Sequence, residues 1–144
     1  MFDRSTLRWW RPLAAVFVAR TAYAGLIHGP LVLTPLVYAR FPTAMNPALN
    51  LPALLAVEAL VSLLLVASFR AYFRSGRPDW RSAVLFGLWF GALVYVPQNL
   101  LNWILLSPVR PRLAAAWIGA GLASGVVSAL ACRTFAPNTP RPVT

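Results

Sequence analysis

SAVLFGLWFGALVYVPQNLLNWILL, residues 82–106, decides the fold class, because its twenty-five residues contain no charge. A hydrophobic run longer than about 18 residues is enough to cross a bilayer core as an α-helix. The run is not uniformly apolar. At 3.6 residues per turn Gly87, Gly91, Tyr95, Gln98, Asn99 and Asn102 fall on one third of the helix circumference, and the rest is left to Leu, Val, Phe and Trp. This stripe is expected to face protein, since a carboxamide without a partner costs several kcal/mol in hydrocarbon.

Composition outside this stretch points the same way. Of 144 residues, 59% are hydrophobic and only 11% charged, against about 25% charged in soluble domains. All thirteen basic residues are Arg, set against three acidic ones, for a net charge of +10. Such a balance can mark nucleic-acid binding, but these arginines flank the apolar runs, where positive charge anchors the cytoplasmic side of a membrane protein. Nucleic acid is therefore not an expected partner, and the lipid bilayer is. The exclusive use of Arg suggests a GC-rich bacterial genome. One cysteine, Cys132, excludes an intramolecular disulfide and a redox carrier built on a cysteine pair.

From the N-terminus, residues 1–11 form a basic, aromatic lead-in with Arg4, Arg8, Arg11, Trp9 and Trp10. A first span is expected from Pro12 to Tyr38, with a kink or break near His28, Gly29 and Pro30. Ala22–Tyr23–Ala24 resembles a small-residue cleavage site before Gly25, but the apolar core before it runs only from Leu13 to Ala19 and ends at Arg20, so a span rather than a cleaved signal peptide is the expectation. Leu51–Phe73 forms the second span, closed by Gly76 and Pro78, and Asp79 is placed to cap the third. A short connection with two prolines, 107–112, makes spans three and four antiparallel neighbours. Leu113–Phe135 is the fourth span, and the proline-bearing tail 136–144 is expected to be disordered.

The expected architecture is all-α, an antiparallel bundle of four transmembrane helices in one domain, residues 12–135. Nine arginines fall on the side of both termini and three, Arg40, Arg110 and Arg112, on the other, which puts both ends in the cytoplasm of a bacterium with the bundle in its inner membrane.

Orientation sets depth. At ~1.5 Å per residue Glu58 lies about 10 Å below the outer end of span two, Asn99 as far below that of span three, and His28 about 15 Å below that of span one. His28, Glu58, Tyr95, Gln98, Asn99 and Asn102 are therefore candidates for one polar cluster in the outer half of the membrane, with Glu58 contacting the third span or His28. An ionisable residue in a span is a functional-site candidate, while interhelical hydrogen bonding is the plainer role and carries more weight here. Arg20 is expected to lie too far toward the cytoplasm to pair with Glu58 and to snorkel to headgroups.

Small residues four apart, Gly25 with Gly29, Gly87 with Gly91, and Gly121 with Gly125, mark faces where helix backbones approach closely. Packing within the chain is the first expectation for them, and a homo-oligomer or another membrane protein the second. No metal-ligand spacing, nucleophile elbow or phosphate loop is present, so no cofactor, metal or catalytic residue is assigned and an enzyme has little support.

The order of glycines, Tyr95, Pro97, Asn99, Leu100, Asn102 and Trp103, followed by Trp117 and a Gly-rich fourth span, resembles uncharacterised four-helix membrane proteins of bacteria. The resemblance covers spans three and four and implies a fold and a location. Small multidrug exporters also have four spans and one membrane glutamate, but theirs lies in the first span and Glu58 lies in the second. Two functions remain: a structural or accessory membrane protein with an internal polar cluster, or a binder or carrier of a small polar or lipid-like ligand that uses Glu58 and His28 as a proton-sensitive pair.

Overall fold

A computed structural model describes residues 9–28, 51–74, 76–105 and 111–137. The kink expected at 28–30, most of the lead-in and most of the tail lie outside the described residues. The structure is all-helical there: α1 is Trp10–His28, α2 Leu51–Tyr72, α3 Trp80–Leu105 and α4 Pro111–Phe135. Leu51–Tyr72, Trp80–Leu101 and Pro111–Phe135 are long and apolar enough to cross a membrane; α1 is not among them.

Local chemistry sets the boundaries. Gly76, at a φ of 127°, turns the chain after α2, and its N–H donates to the Phe73 carbonyl at 3.3 Å. Only glycine adopts that backbone without strain. Asp79 caps α3, accepting from the Ser82 amide at 2.7 Å and the Ser82 hydroxyl at 3.1 Å. The Ser82 amide, then its hydroxyl, and more weakly the Arg133 charge hold the Asp79 carboxyl below its usual pKa. A lowered pKa means the cap's contribution is complete above about pH 4 and is lost as pH falls through the lowered value. The protection factor of the Ser82 amide, its exchange rate relative to the intrinsic rate at the same pH, should therefore fall on acidification in the wild type. In Asp79→Ala it should be low at neutral pH already; equal protection in the two proteins would show that the cap contributes nothing.

Residue pairs fix the helix directions. Gly87 meets Gly125 and Gly91 meets Gly121 across α3 and α4. Arg20 bonds Ser124 and Tyr23 bonds Ala120 across α1 and α4. Arg20 reaches Glu58, and Arg70 lies over the ring of Trp9, across α1 and α2. In each pair one number rises as the other falls, so each pair of helices is antiparallel. The α3–α4 contact is the most extensive, and α1 packs against both α4 and α2.

The main core lies toward the end that holds the start of α1 and the end of α2. Val16, Leu65, Phe69, Ala83, Phe86, Phe90 and Cys132 are buried there. Phe69 and Phe86 meet edge to face with centroids 5.2 Å apart, joining α2 to α3. A smaller cluster at the other end sets Leu113 and Ala114 of α4 against Ile27 of α1. At the first end Arg133 clamps α4 onto α3, stacking 3.6 Å from the Trp80 ring centroid and donating to the Pro78 carbonyl at 2.9 Å.

Candidate polar site

Helix spacing builds the site around an arginine. Val16 and Arg20 lie one turn apart on the face of α1 turned into the bundle, and both are buried. Arg20 is only 2% exposed. Its Nε donates to Glu58 Oε2 at 2.8 Å, and Nη2 lies 2.8 Å from the same oxygen. Nη2 also donates to the Tyr95 hydroxyl at 2.8 Å, and Nη1 to the Ser124 hydroxyl at 3.3 Å. One guanidinium thus ties α1 to each of the other three helices.

This corrects the expectation that Arg20 snorkels and is out of reach of Glu58. Ten residues separate Trp10 from Arg20, about 15 Å along α1, and fourteen separate Glu58 from Tyr72, about 21 Å along α2. The Cα atoms do differ in level. The arginine stem closes the gap, because it is long and apolar and its fork carries donors on several sides. A snorkelling side chain runs toward headgroups; this one runs inward because a carboxylate waits there.

The other expected members divide. Glu58 does point into the bundle, with its side chain 13% exposed, and among the described residues its link to α3 runs through Arg20, which bonds both Glu58 and Tyr95. Tyr95 is a member through its hydroxyl. Asn99 is buried, yet its Nδ2 donates to the Tyr95 carbonyl of its own helix at 2.8 Å. Gln98 is exposed, contrary to its expected place in the cluster. Position decides this rather than face: beyond Pro97, Asn99 is the only buried side chain among the described residues of α3. The side chains of His28 and Asn102 lie outside the described residues, so their expected place in the cluster is not described.

Ser124 is the member that the sequence reading missed. In α4 it reads as one more small residue beside Gly121 and Gly125, and the residue that signals its role is Arg20 on another helix. Two further hydroxyls are satisfied locally, Ser62 on the Glu58 carbonyl and Ser128 on the Ser124 carbonyl, both at 2.6 Å, whereas the buried Thr21 hydroxyl has no hydrogen-bond partner among the described residues. Of the packing glycines, Gly87, Gly91, Gly121 and Gly125 are all buried in the α3–α4 seam. Gly25 departs from expectation: it is exposed, with nothing within 4 Å of an added Cβ. Gly29 lies outside the described residues.

Chemically the arrangement is a paired charge held in place, with two hydroxyls taking up further donors of the guanidinium. Among the described residues no group of three or more metal-ligating side chains comes together. No protein-family model matches the chain, and comparisons with curated proteins and with solved structures return no match.

Proposed function

We propose that this chain is a four-helix integral protein of the bacterial cytoplasmic membrane, with both termini cytoplasmic, serving as a structural or accessory membrane protein. The observation that carries the reading is Arg20, a buried cation bonded to one group from each of the other three helices. A group so fully engaged has the character of a bundle lock rather than of a site waiting for a ligand. The resemblance of spans three and four to uncharacterised bacterial four-helix membrane proteins agrees with it.

Two further observations support α1 as the fourth span. Its 19 residues measure about 28 Å, close to a hydrocarbon core of about 30 Å. Its one deep charge is neutralised by Glu58, which lowers the cost of placing it there. Large apolar side chains exposed along α2 and α3, such as Val57, Leu60, Leu64, Trp89 and Leu93, form the kind of surface that lipid covers. Cysteine labelling in a Cys132→Ser background should reach position 43 from outside the cell and not position 138; the reverse pattern would overturn the topology.

The carrier reading retains one point in its favour. Both arginine contacts fall on Glu58 Oε2, and the side chain is partly exposed. Glu58→Gln separates the two readings. Under the structural reading it should lower stability, and any cellular role should fall in proportion to the folded protein. A variant that folds at wild-type level yet abolishes uptake or retention of a ligand would establish the carrier instead.

A further inference from the structure

The end of the bundle that holds the α2–α3 turn is strongly cationic. Among the described residues it carries Arg11, Arg70, Arg74, Arg77, Arg81 and Arg133 against one carboxylate, Asp79. Asp79 is occupied with capping α3, and the one ion pair among the described residues is Arg20 with Glu58, far from this end. Arg70, Arg11 and Arg133 lie over the rings of Trp9, Trp10 and Trp80. Arg77 and Arg81 remain, together with Arg74, whose Nε donates to the Ala71 carbonyl at 3.2 Å; all three are exposed and lie on either side of the turn at Gly76.

Beside this turn lies an exposed apolar surface that runs away from it along the spans. Tyr72 and Trp89 are exposed and flank Phe86, with centroids 5.7 and 6.0 Å from it. On α3, Arg81, Leu85 and Trp89 follow one another at four-residue spacing on one exposed face. Trp89 lies nine residues beyond Trp80, about 13 Å along the axis. An occupant that matches both features is anionic at one end and apolar for a further 10 Å or so. An anionic phospholipid has that form. A second copy of the chain presenting the same turn would set arginines against arginines, which like-charge repulsion opposes.

We propose that the turn bearing Arg74, Arg77 and Arg81, with the exposed surface of Tyr72, Leu85 and Trp89 beside it, binds the phosphate headgroup and upper acyl chain of an anionic phospholipid. The inference rests on the membrane reading but not on which leaflet this end occupies. The guanidinium forks match phosphate geometry, and the rings lie where the chain leaves the headgroup.

The test uses full-length protein in neutral detergent, with phosphatidylglycerol or phosphatidylcholine added and retention read by native mass spectrometry. Phosphatidylglycerol should be retained preferentially. Arg77→Gln/Arg81→Gln should melt as the wild type does without lipid and hold phosphatidylglycerol about 25-fold more weakly, about fivefold for each charge removed. If the double variant folds poorly, Arg77→Gln alone should still show the fivefold loss. Equal retention of the two lipids, or undiminished retention by the variants, would overturn the proposal. So would inorganic phosphate raising the melting temperature as much as the lipid does, or an arginine-dependent dimer in lipid-free detergent. A protein that remains dispersed without any detergent would instead refute the membrane reading, before lipid is added.

Discussion

Glu58→Leu should destabilise the bundle by about 3–5 kcal/mol, because it leaves a buried guanidinium with no counter-charge. Arg20 is 2% exposed and would retain only the Tyr95 and Ser124 hydroxyls, which are neutral partners. Glu58→Gln keeps an acceptor within reach of Nε and should lose less, about 1.5–3 kcal/mol, the range for a hydrogen bond to a charged group. Removing both charges is the informative step. A well-packed apolar pair in place of a buried ion pair is often neutral or better, so Arg20→Met/Glu58→Leu should recover most of the stability lost by Glu58→Leu. Unfolding of the wild type, Arg20→Met, Glu58→Leu and the double variant in one detergent closes the cycle, with Glu58→Gln measured beside them. Wild-type stability in Glu58→Leu would mean that Arg20 swings to the headgroups when released, and its central role would fall.

The same pair shows where the sequence was informative and where it was not. The uncharged stretch 82–106, the Asp79 cap and the turn at Gly76 are local signals, and each has its counterpart in the boundaries of α2 and α3. Three apolar helices could be read from length and hydropathy alone. Glu58 was conspicuous as the one acidic residue in a span. Its partner was not, because counting residues places Cα atoms, whereas an arginine delivers its charge at the end of a long flexible stem. The carboxamide stripe misled in a related way. A helical wheel reports direction around α3 and says nothing about how far along the helix a neighbour extends. Gln98 therefore shares a face with Gly87 and Gly91 but not their burial. Ser124 illustrates a third limit, since a hydroxyl's role is set by a donor more than a hundred residues away in the chain.

The α3–α4 seam should be the least tolerant surface of the molecule. Gly125→Val should cost about 3 kcal/mol or more, at or beyond the upper end of overpacking penalties. A Cβ at Gly125 would fall on the Gly87 carbonyl oxygen and lie 3.0 Å from the Gly91 Cα. Likewise, a Cβ at Gly87 would lie 2.7 Å from both the Gly125 oxygen and the Val126 Cα. These obstacles are backbone, so no rotamer relieves them and the helices must part. Gly119, two residues from the seam, meets nothing within 4 Å. Gly119→Ala should therefore be neutral or stabilise by about 0.5–1 kcal/mol through helix propensity.

Gly121 joins the seam to the polar site. A Cβ there would strike the Tyr95 Cβ and the base of its ring, atoms fixed to the α3 backbone, and the hydroxyl at the other end of that ring accepts from Arg20 Nη2. Gly121→Ala should thus weaken the arginine site as well as the packing. In a Tyr95→Phe background, where that hydrogen bond is already absent, the same substitution should cost less by about 1–2 kcal/mol. Thermal or chemical unfolding of the two single variants and the double variant measures this coupling. Strict additivity would mean that the ring yields without disturbing Arg20, and that packing and the polar site are independent.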